Sequence, residues 1–291
     1  MLGGCIVVNE RRFRFGVTVG QIPNTKTWLE MARLAESSGF STFLQPDTLF
    51  TPAPLPTLAA AAAATTTLRV GSWVLCDSLR EPRMLAWEAA TVDQLSDGRL
   101  ELGLGVGRPD AEKDAARLGI PFGSPGQRVQ RLEASVRTLK GLLSGGEPGF
   151  PAGVQRPHVP ILIAASGPRL LAFAAREADI VVFGWPADTT MEAAQERIAM
   201  VRNAAPDRFE HVELAAGLIA IGDDEHPWLR RMGLDVRALA AGGAITVLTG
   251  TPSQMADTLR RRRDTLGLSY LTVPIQSAKT FAPVVEMLHG N

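Results

Sequence analysis

Residues 81–104 read EPRMLAWEAATVDQLSDGRLELGL, and this stretch decides the fold class. In its first half Pro82 suits a first helical turn. The apolar residues that then recur at helical spacing are Leu85, Ala89, Val92 and Leu95. Its second half, from Arg99 to Leu104, is a short run of strand-like composition. A helix followed closely by such a strand is the building unit of proteins with parallel strands and helical crossovers.

The same unit recurs along the chain. The starts of the first four strand-like runs lie about 30 residues apart, which leaves room for a strand, a turn and a helix. Eight strand-like runs are present, at Phe13–Val19, Ser41–Leu44, Leu68–Leu75, Arg99–Leu104, Ile161–Ala164, Ile180–Phe183, Leu214–Ile221 and Tyr270–Val273. An open doubly wound sheet of eight strands is one alternative. The even spacing and the absence of a domain break favour a single (β/α)₈ barrel over residues 1–291, with residues 1–11 as an N-terminal extension.

Composition excludes several classes of protein. The chain has 291 residues, 45% of them hydrophobic, and equal numbers of basic and acidic residues, 30 each. A zero net charge gives no indication of nucleic-acid or membrane binding. Two distant cysteines, Cys5 and Cys76, and four scattered histidines give no metal-ligand spacing, so we expect no metal. Without an apolar run of bilayer length, the expected location is the cytoplasm.

Two further segments allow a functional and a structural interpretation. The segment from Leu143 to Pro160 holds four glycines and four prolines after the fourth strand–helix unit. It is either a lid over an active site or a plain linker. The run from Arg260 to Arg263 lies in a predicted helix, where consecutive residues fan around the axis, so we interpret it as a solvated face.

The active site of such a barrel lies at the carboxyl ends of its strands. After the second strand, Asp47 and Thr48 are either turn residues or polar groups at the barrel mouth. After the third, Trp73, Val74 and Cys76 either line a pocket or merely pack.

The fourth and fifth strand ends carry small residues. Gly103, Gly105 and Gly107 follow the fourth strand, but Arg108 stands where a dinucleotide-binding turn needs its third glycine. The glycines would still let the backbone approach a flat ring or a phosphate closely. After the fifth strand, Ser166, Gly167 and Pro168 open a helix, which is either an anion site or an ordinary turn. Nucleophile-elbow, P-loop and His-Glu-x-x-His motifs are absent from the sequence.

Several of these segments together resemble the luciferase-like monooxygenases. The most specific is EAATVDQLSDGR at 88–99, running into ELGLGVG at 101–107. ARLAESSGF at 32–40 and ATTTLRVG at 64–71 are similar to the family's first units. LGIP at 118–121, with Arg128 beyond it, is similar to the branch that depends on coenzyme F420.

This resemblance implies a barrel that binds FMN or the deazaflavin coenzyme F420 at its carboxyl-terminal face. The coenzyme ring would lie at the end of the third strand, where a non-proline cis bond is expected near Trp73–Val74. The residues assigned to the coenzyme are Trp73, Val74, Cys76, Gly105, Gly107 and, for its phosphate, Ser166, Gly167 and Pro168. The residues assigned to the substrate side or to catalysis are Asp47, Thr48 and Arg108.

Two positions depart from the family pattern. Thr48 stands where many deazaflavin relatives have a histidine, and Arg108 stands where some sugar-phosphate-oxidising relatives have a glutamate. Alcohol oxidation by a histidine–glutamate pair is therefore not expected. Arg108 instead favours an anionic substrate or coenzyme tail.

The function that follows is hydride transfer between coenzyme F420 and a small organic substrate. The first alternative is a monooxygenase that uses reduced FMN and oxygen, with a separate reductase to supply the flavin. The second is a barrel without catalysis that binds flavin or a partner. The resemblance also implies a homodimer.

Overall fold

A computed structural model describes residues 11–21, 24–222 and 227–290. Apart from Arg11, the predicted N-terminal extension lies outside the described residues, as does Cys5. The strands are β1 (Arg14–Thr18), β2 (Thr42–Gln45), β3 (Arg69–Ser72), β4 (Leu75–Cys76), β5 (Leu100–Gly105), β6 (Ile161–Ala165), β7 (Ile180–Phe183), β8 (Glu213–Gly217), β9 (Ala220–Ile221), β10 (Val247–Leu248) and β11 (Tyr270–Pro274).

Nine of these strands form one parallel sheet in the order β3-β2-β1-β11-β8-β7-β6-β5-β4. An additional pairing of β3 with β5 closes the sheet. Because β3 and β4 are two segments of one interrupted strand, the closed sheet is an eight-stranded barrel. The predicted (β/α)₈ fold and all eight predicted strand positions are therefore confirmed.

Helices connect the strands on the outside of the barrel. In the described part of the chain they are α1 (Thr25–Ser37), α2 (Pro54–Ala63), α3 (Pro82–Leu95), α4 (Ala111–Arg117), α5 (Pro125–Leu143), α6 (Pro168–Glu177), α7 (Met191–Ala204), α8 (Pro227–Arg231), α9 (Val236–Ala241), α10 (Pro252–Leu266) and α11 (Ala278–Leu288). Capping boxes at Ser124 and Thr251 start α5 and α10, and they satisfy N–H groups that the first turn leaves unpaired. None of these helices has both the length and the apolar content that a membrane span requires.

Two apolar cores hold the barrel together. The larger lies between the sheet and the helices. The smaller fills the barrel interior with Leu44, Leu162, Ile180, Val182, Ala215 and Tyr270. At the amino-terminal end of the strands, buried Glu101 accepts hydrogen bonds from Arg14, from Arg69 at 2.6 Å and from the Tyr270 hydroxyl at 3.2 Å. This network lies at the amino-terminal end of the barrel, where Arg14, Arg69 and Glu101 line a cavity of about 410 Å³. We call the opposite, carboxyl-terminal end of the strands the open end.

The lid interpretation of the segment from Leu143 to Pro160 is wrong. The segment joins the end of α5 to the start of β6, which puts it at the amino-terminal face of the barrel. There the Gln155 amide donates to Asp93 and to the Leu100 carbonyl, both at 2.7 Å. The loop is a packed connection on the side opposite the open end.

Two other expectations need correction. The predicted strand from Leu214 to Ile221 divides into β8, which belongs to the barrel, and β9, which pairs with β10. The segment from β9 to β10 is an insertion with its own small core. In the arginine run, Arg262 is not solvated, because it donates to the Ile245 carbonyl at 2.8 Å and burial lowers its pKa to about 10.

Candidate functional site

The open end of the barrel holds a cavity of about 380 Å³, which we call the mouth cavity. Its wall combines the carboxyl ends of β2, β4, β5 and β6 with the loops that follow them. The predicted site residues that it brings together are Asp47, Thr48, Trp73, Val74, Cys76, Gly105, Gly107, Arg108 and Ser166. Residues spread over 120 positions of sequence thus meet at one place, as the rule on strand ends predicts.

The start of α6 borders this cavity only in part. Ser166 and Leu170 line it, whereas Gly167 and Pro168 are not among the described lining residues. Gly167 is the N-cap of α6, and no side chain of the described chain caps the helix there. The phosphate role of Ser166, Gly167 and Pro168 stays a prediction, with Ser166 as the residue nearest to the space a ligand would occupy.

A bulge at Trp73 and Val74 forms the floor of the cavity. The peptide bond between them is cis, as the resemblance implies. Val70 pairs with Leu100 before the bulge and Leu75 with Leu104 after it, so β3 and β4 accommodate one residue more than β5 over the same length. An extra residue of this kind bends a strand and redirects its side chains.

The bulge packs so closely against β5 that Gly103 and Gly105 have little or no room for a side chain. A Cβ atom on Gly103 would lie 2.1 Å from the Ser72 carbonyl oxygen and 2.8 Å from a Val74 methyl. One on Gly105 would lie 3.0 Å from the other Val74 methyl. We predicted that these glycines let the backbone approach a ring or a phosphate. In the structure, Gly103 and Gly105 instead make room for the backbone of Ser72 and the side chain of Val74.

Gly107 and Cys76 face each other at the rim. Gly107 has a φ of +94°, and a Cβ atom there would lie 2.9 Å from the Cys76 sulfur. Burial raises the pKa of the Cys76 thiol to about 11, and the charge of Asp47 adds to that rise. The thiol is therefore neutral at physiological pH and packs as an apolar group.

Asp47 is fully engaged by two partners. Its Oδ2 accepts from the Cys76 backbone N–H at 2.8 Å and from Arg80 at 2.5 Å, and its Oδ1 accepts from Arg80 at 2.9 Å. The side chain of Asp47 is only 8% exposed. The ion pair between Asp47 and Arg80 is bidentate. Together with the hydrogen bond from the Cys76 N–H, it connects the end of β2 to β4, the strand segment that follows the bulge.

Thr48 and Arg108 lie on the same side of the mouth cavity. The Thr48 hydroxyl accepts from the Phe50 N–H at 3.1 Å. One Arg108 nitrogen, Nη2, pairs at 2.5 Å with Asp114, which also accepts from the Leu49 N–H. The other, Nη1, is buried without a hydrogen-bond partner among the described residues. Arg108 lines the mouth cavity, and a guanidinium beside a cavity is a suitable partner for an anionic group.

The sequence reading missed Arg80 and Asp114. Arg80 follows the third predicted strand, so the rule on strand ends pointed to its position without revealing its partner. Asp114 comes from α4, and nothing in the spacing of a helix residue reveals that it will reach a loop. Such pairings depend on the path of the loops, which local patterns do not encode.

Comparisons with known proteins agree with this geometry. The sequence model of a family described as luciferase-like monooxygenase matches residues 11–226. An F420-dependent glucose-6-phosphate dehydrogenase from Beutenbergia cavernae is 32% identical over 166 residues. That match covers 50% of this chain and 48% of the relative, so it spans about half of the relative's length.

Two solved structures share the fold. The coenzyme F420-dependent tetrahydromethanopterin reductase from Methanopyrus kandleri superposes with a TM-score of 0.72 at 17% identity, covering 95% of this chain and 98% of that one. The EDTA monooxygenase from Chelativorans sp. BNC1 gives a TM-score of 0.73 at 15% identity, covering 96% and 94%. At these identities the likeness concerns the fold alone.

Proposed function

The chain belongs to the luciferase-like monooxygenase family, and from that membership we propose an oxidoreductase that transfers a hydride between coenzyme F420 and a small organic substrate. The observation that carries the proposal is the mouth cavity, whose floor is the bulge at Trp73 and Val74. The match to an F420-dependent dehydrogenase supports the choice of coenzyme.

The residues present fit such a coenzyme. Val74, Leu75, Ala164 and Ala165 give the cavity an apolar wall against which a flat ring can pack. Arg108, which lines it, gives it a cationic end. An apolar surface beside a few placed polar groups is typical of cofactor sites.

When bound, the coenzyme would supply hydride chemistry, two electrons and one hydrogen exchanged with a substrate carbon, with the balancing proton exchanged with solvent at the mouth of the cavity. The protein's part is to bind, to orient and to exclude water. Val74 and Gly105 would support the ring, and the apolar wall would keep water from the reacting atoms. Thr48, whose hydroxyl is held by the Phe50 N–H, would anchor the substrate.

Asp47 serves this reaction best as a positioning residue. Both of its oxygens already accept hydrogen bonds from Arg80 or from Cys76. A proton relay needs a carboxylate oxygen within reach of the reacting group. We therefore assign Asp47 the task of holding the Cys76 end of the bulge in place beneath the coenzyme.

The first experiment is a titration of the purified protein with oxidised F420 and, separately, with FMN, followed by quenching of tryptophan fluorescence. We expect tight binding of F420 and weak binding of FMN, with no oxygen consumption during turnover. Preference for FMN, with oxygen consumed when a reductase supplies reduced flavin, would establish the monooxygenase instead. Binding of neither would leave a barrel that serves as a partner protein.

The role of Arg108 is tested in the same titration. Because Arg108 lines the mouth cavity, Arg108→Ala should weaken F420 binding about tenfold, the value of a lost charge-assisted hydrogen bond. Arg117→Ala, on the exposed face of α4, is the matched control and should leave binding unchanged. Equal affinity in the wild type and the Arg108 variant would remove Arg108 from the coenzyme site.

A further inference from the structure

A small cavity, of about 160 Å³, lies between α9, β10 and α10. We call it the arginine cavity, because Arg262 of α10 lines it. It shares no described lining residue with the mouth cavity, and its volume is less than half of the 380 Å³ found there. The rest of its wall is mainly small or carries hydroxyl groups, with Ala240, Gly243, Ala244, Thr249 and Thr258 among its residues. A cavity with a cationic wall thus lies outside the proposed coenzyme site.

The outer two arginines of the run from Arg260 to Arg263 have acidic partners. Arg260 pairs with Asp257 at 2.8 Å, and Arg263 pairs with Asp264 at 3.3 Å. Within residues 11–21, 24–222 and 227–290, the inner two arginines form no ion pair with a carboxylate, and their hydrogen bonds go to a hydroxyl and to backbone carbonyls. The run therefore carries two positive charges that no described side chain neutralises.

These two arginines meet beside the arginine cavity. Arg261 donates from Nη2 to the Thr258 hydroxyl at 2.8 Å, and Thr258 and Arg262 both line the cavity. Arg262 donates to the carbonyls of Ile245 at 2.8 Å and Val247 at 3.3 Å, which carry no charge. Burial and the charge of Arg261 lower the pKa of Arg262 to about 10, so both side chains are cationic at physiological pH.

An uncompensated pair of cations favours a bound anion. Holding a half-buried charge close to a like charge costs free energy, which an anion would offset. No acidic side chain belongs to the described wall of the cavity, so nothing in that wall would repel an anion. Guanidinium and hydroxyl groups are typical donors to phosphate oxygens. Because the donor residues stand on two elements, Thr249 after β10 and the others on α10, they suit the tetrahedral oxygens of a phosphate better than a planar carboxylate.

From these observations we propose that the arginine cavity binds a phosphate group, held by Arg262 together with the hydroxyls of Thr249 and Thr258. The group belongs either to inorganic phosphate or to a phosphate monoester. The site is separate from the predicted anion position at the start of α6, and it does not depend on the proposed function. Because Ala244 and Val247 belong both to its wall and to the apolar cluster of the insertion, a bound phosphate would also stabilise the insertion.

The test follows backbone amide signals of the full chain by NMR, because a local signal separates this site from any phosphate bound in the mouth cavity. Inorganic phosphate, methyl phosphate and acetate are titrated at constant ionic strength and without coenzyme. We expect saturable shifts of the Gly243 and Thr249 amide signals with phosphate, and about tenfold weaker binding of acetate, which offers fewer oxygens and less charge. Methyl phosphate distinguishes the two sources: binding at least as tight as that of inorganic phosphate identifies a monoester, and weaker binding identifies the free anion.

The decisive variant is Arg262→Gln, which removes the charge and keeps an N–H donor for a backbone carbonyl. It should weaken phosphate binding about tenfold, the value of a lost charge-assisted hydrogen bond. Thr258→Val removes one hydroxyl with little change of shape and should weaken binding about fivefold, which gives a second result if Arg262→Gln disturbs the insertion. Arg260→Gln is the matched control, since its charge is paired with Asp257, and should leave phosphate binding unchanged.

Three results would overturn the inference: no saturable shift of the Gly243 and Thr249 signals in the wild type, equal phosphate affinity in the wild type and both cavity variants, or acetate binding as tight as that of phosphate. The coenzyme titration is read separately. If F420 and FMN fail to bind while phosphate behaves as expected, the proposed function falls and the phosphate site stands. If F420 binds and the two amide signals do not respond to phosphate, the reverse holds.

Discussion

At the scale of single residues, the ion pair between Asp47 and Arg80 is the feature with the clearest consequence. Arg80→Ala leaves the Asp47 carboxylate, 8% exposed, without its cationic partner. Removing one member of a buried pair costs about 3 kcal/mol of unfolding free energy. Because the pair also holds the Cys76 backbone, F420 affinity should fall about tenfold, which a binding titration beside a denaturant melt would measure.

Asp47→Asn separates positioning from proton transfer. Asparagine keeps an oxygen for the Cys76 N–H, so a positioning role predicts a raised dissociation constant with turnover at saturation largely retained. Full loss of turnover with unchanged coenzyme affinity would instead identify Asp47 as a proton relay. Arg83→Ala is the matched control, since its exposed pair with Glu147 is screened by solvent and should contribute little to stability.

At the scale of elements, the contact between β5 and the bulge predicts an intolerant glycine. A Cβ atom on Gly103 would lie 2.1 Å from a backbone oxygen, so Gly103→Ala must shift the main chain. We expect a loss of about 3 kcal/mol of unfolding free energy, at the upper end for an overpacked core. Differential scanning calorimetry of the variant would measure it.

Gly141→Ala is the control for that substitution. It lies in α5, where nothing stands within 4 Å of the added Cβ atom, so the variant should gain about 0.5–1 kcal/mol. Similar stability of the Gly103 variant and the wild type would mean that the bulge does not pack on β5 as described.

The elements themselves were largely predictable from the sequence. Period, capping residues and glycine stops act over a few neighbouring residues, and they located all eight barrel strands and the starts of α5 and α10. What escaped prediction depends on distant pairing. The division of the run from Leu214 to Ile221 follows from the pairing of β9 with β10, and the burial of Arg262 follows from carbonyls of the insertion.

The candidate site was predictable to the same extent. The rule that active sites lie at the carboxyl ends of the strands predicted nine residues of the mouth cavity, because the barrel brings all those ends together. The rule does not predict the ion-pair partners Arg80 and Asp114, nor the second cavity that lies beside the mouth cavity. Trp185 follows β7 and the rule covers its position, but Trp228 and Met232 come from an insertion whose path the sequence does not indicate.

At the scale of the whole molecule, the outer face of α3 predicts a dimer. Met84, Trp87 and Leu95 lie on one side of that helix and are 50%, 51% and 63% exposed. A row of large apolar side chains on a surface is typical of a protein interface. We expect a homodimer through α3 at micromolar concentration, measured by light scattering after size-exclusion chromatography.

Two charges in this row should separate the subunits. Trp87→Glu combined with Leu95→Glu would bury unpaired carboxylates in the interface and yield monomers. Met200→Glu, which changes an exposed apolar residue of α7, should leave the dimer intact. A monomeric wild type, or a dimer that survives the double substitution, would contradict the assignment.

The insertion between β9 and β10 has its own apolar cluster and also lines a cavity at the open end of the barrel. It buries Ala220, Leu229, Val236, Ala244 and Val247 against one another. It also supplies Trp228, Met232 and Leu234 to a second cavity, which shares Trp73 and Val74 with the mouth cavity. This apolar cluster is distinct from the two cores of the barrel. Substitutions at Trp228, Met232 or Leu234 should therefore reshape the second cavity while leaving the packing of the barrel unchanged.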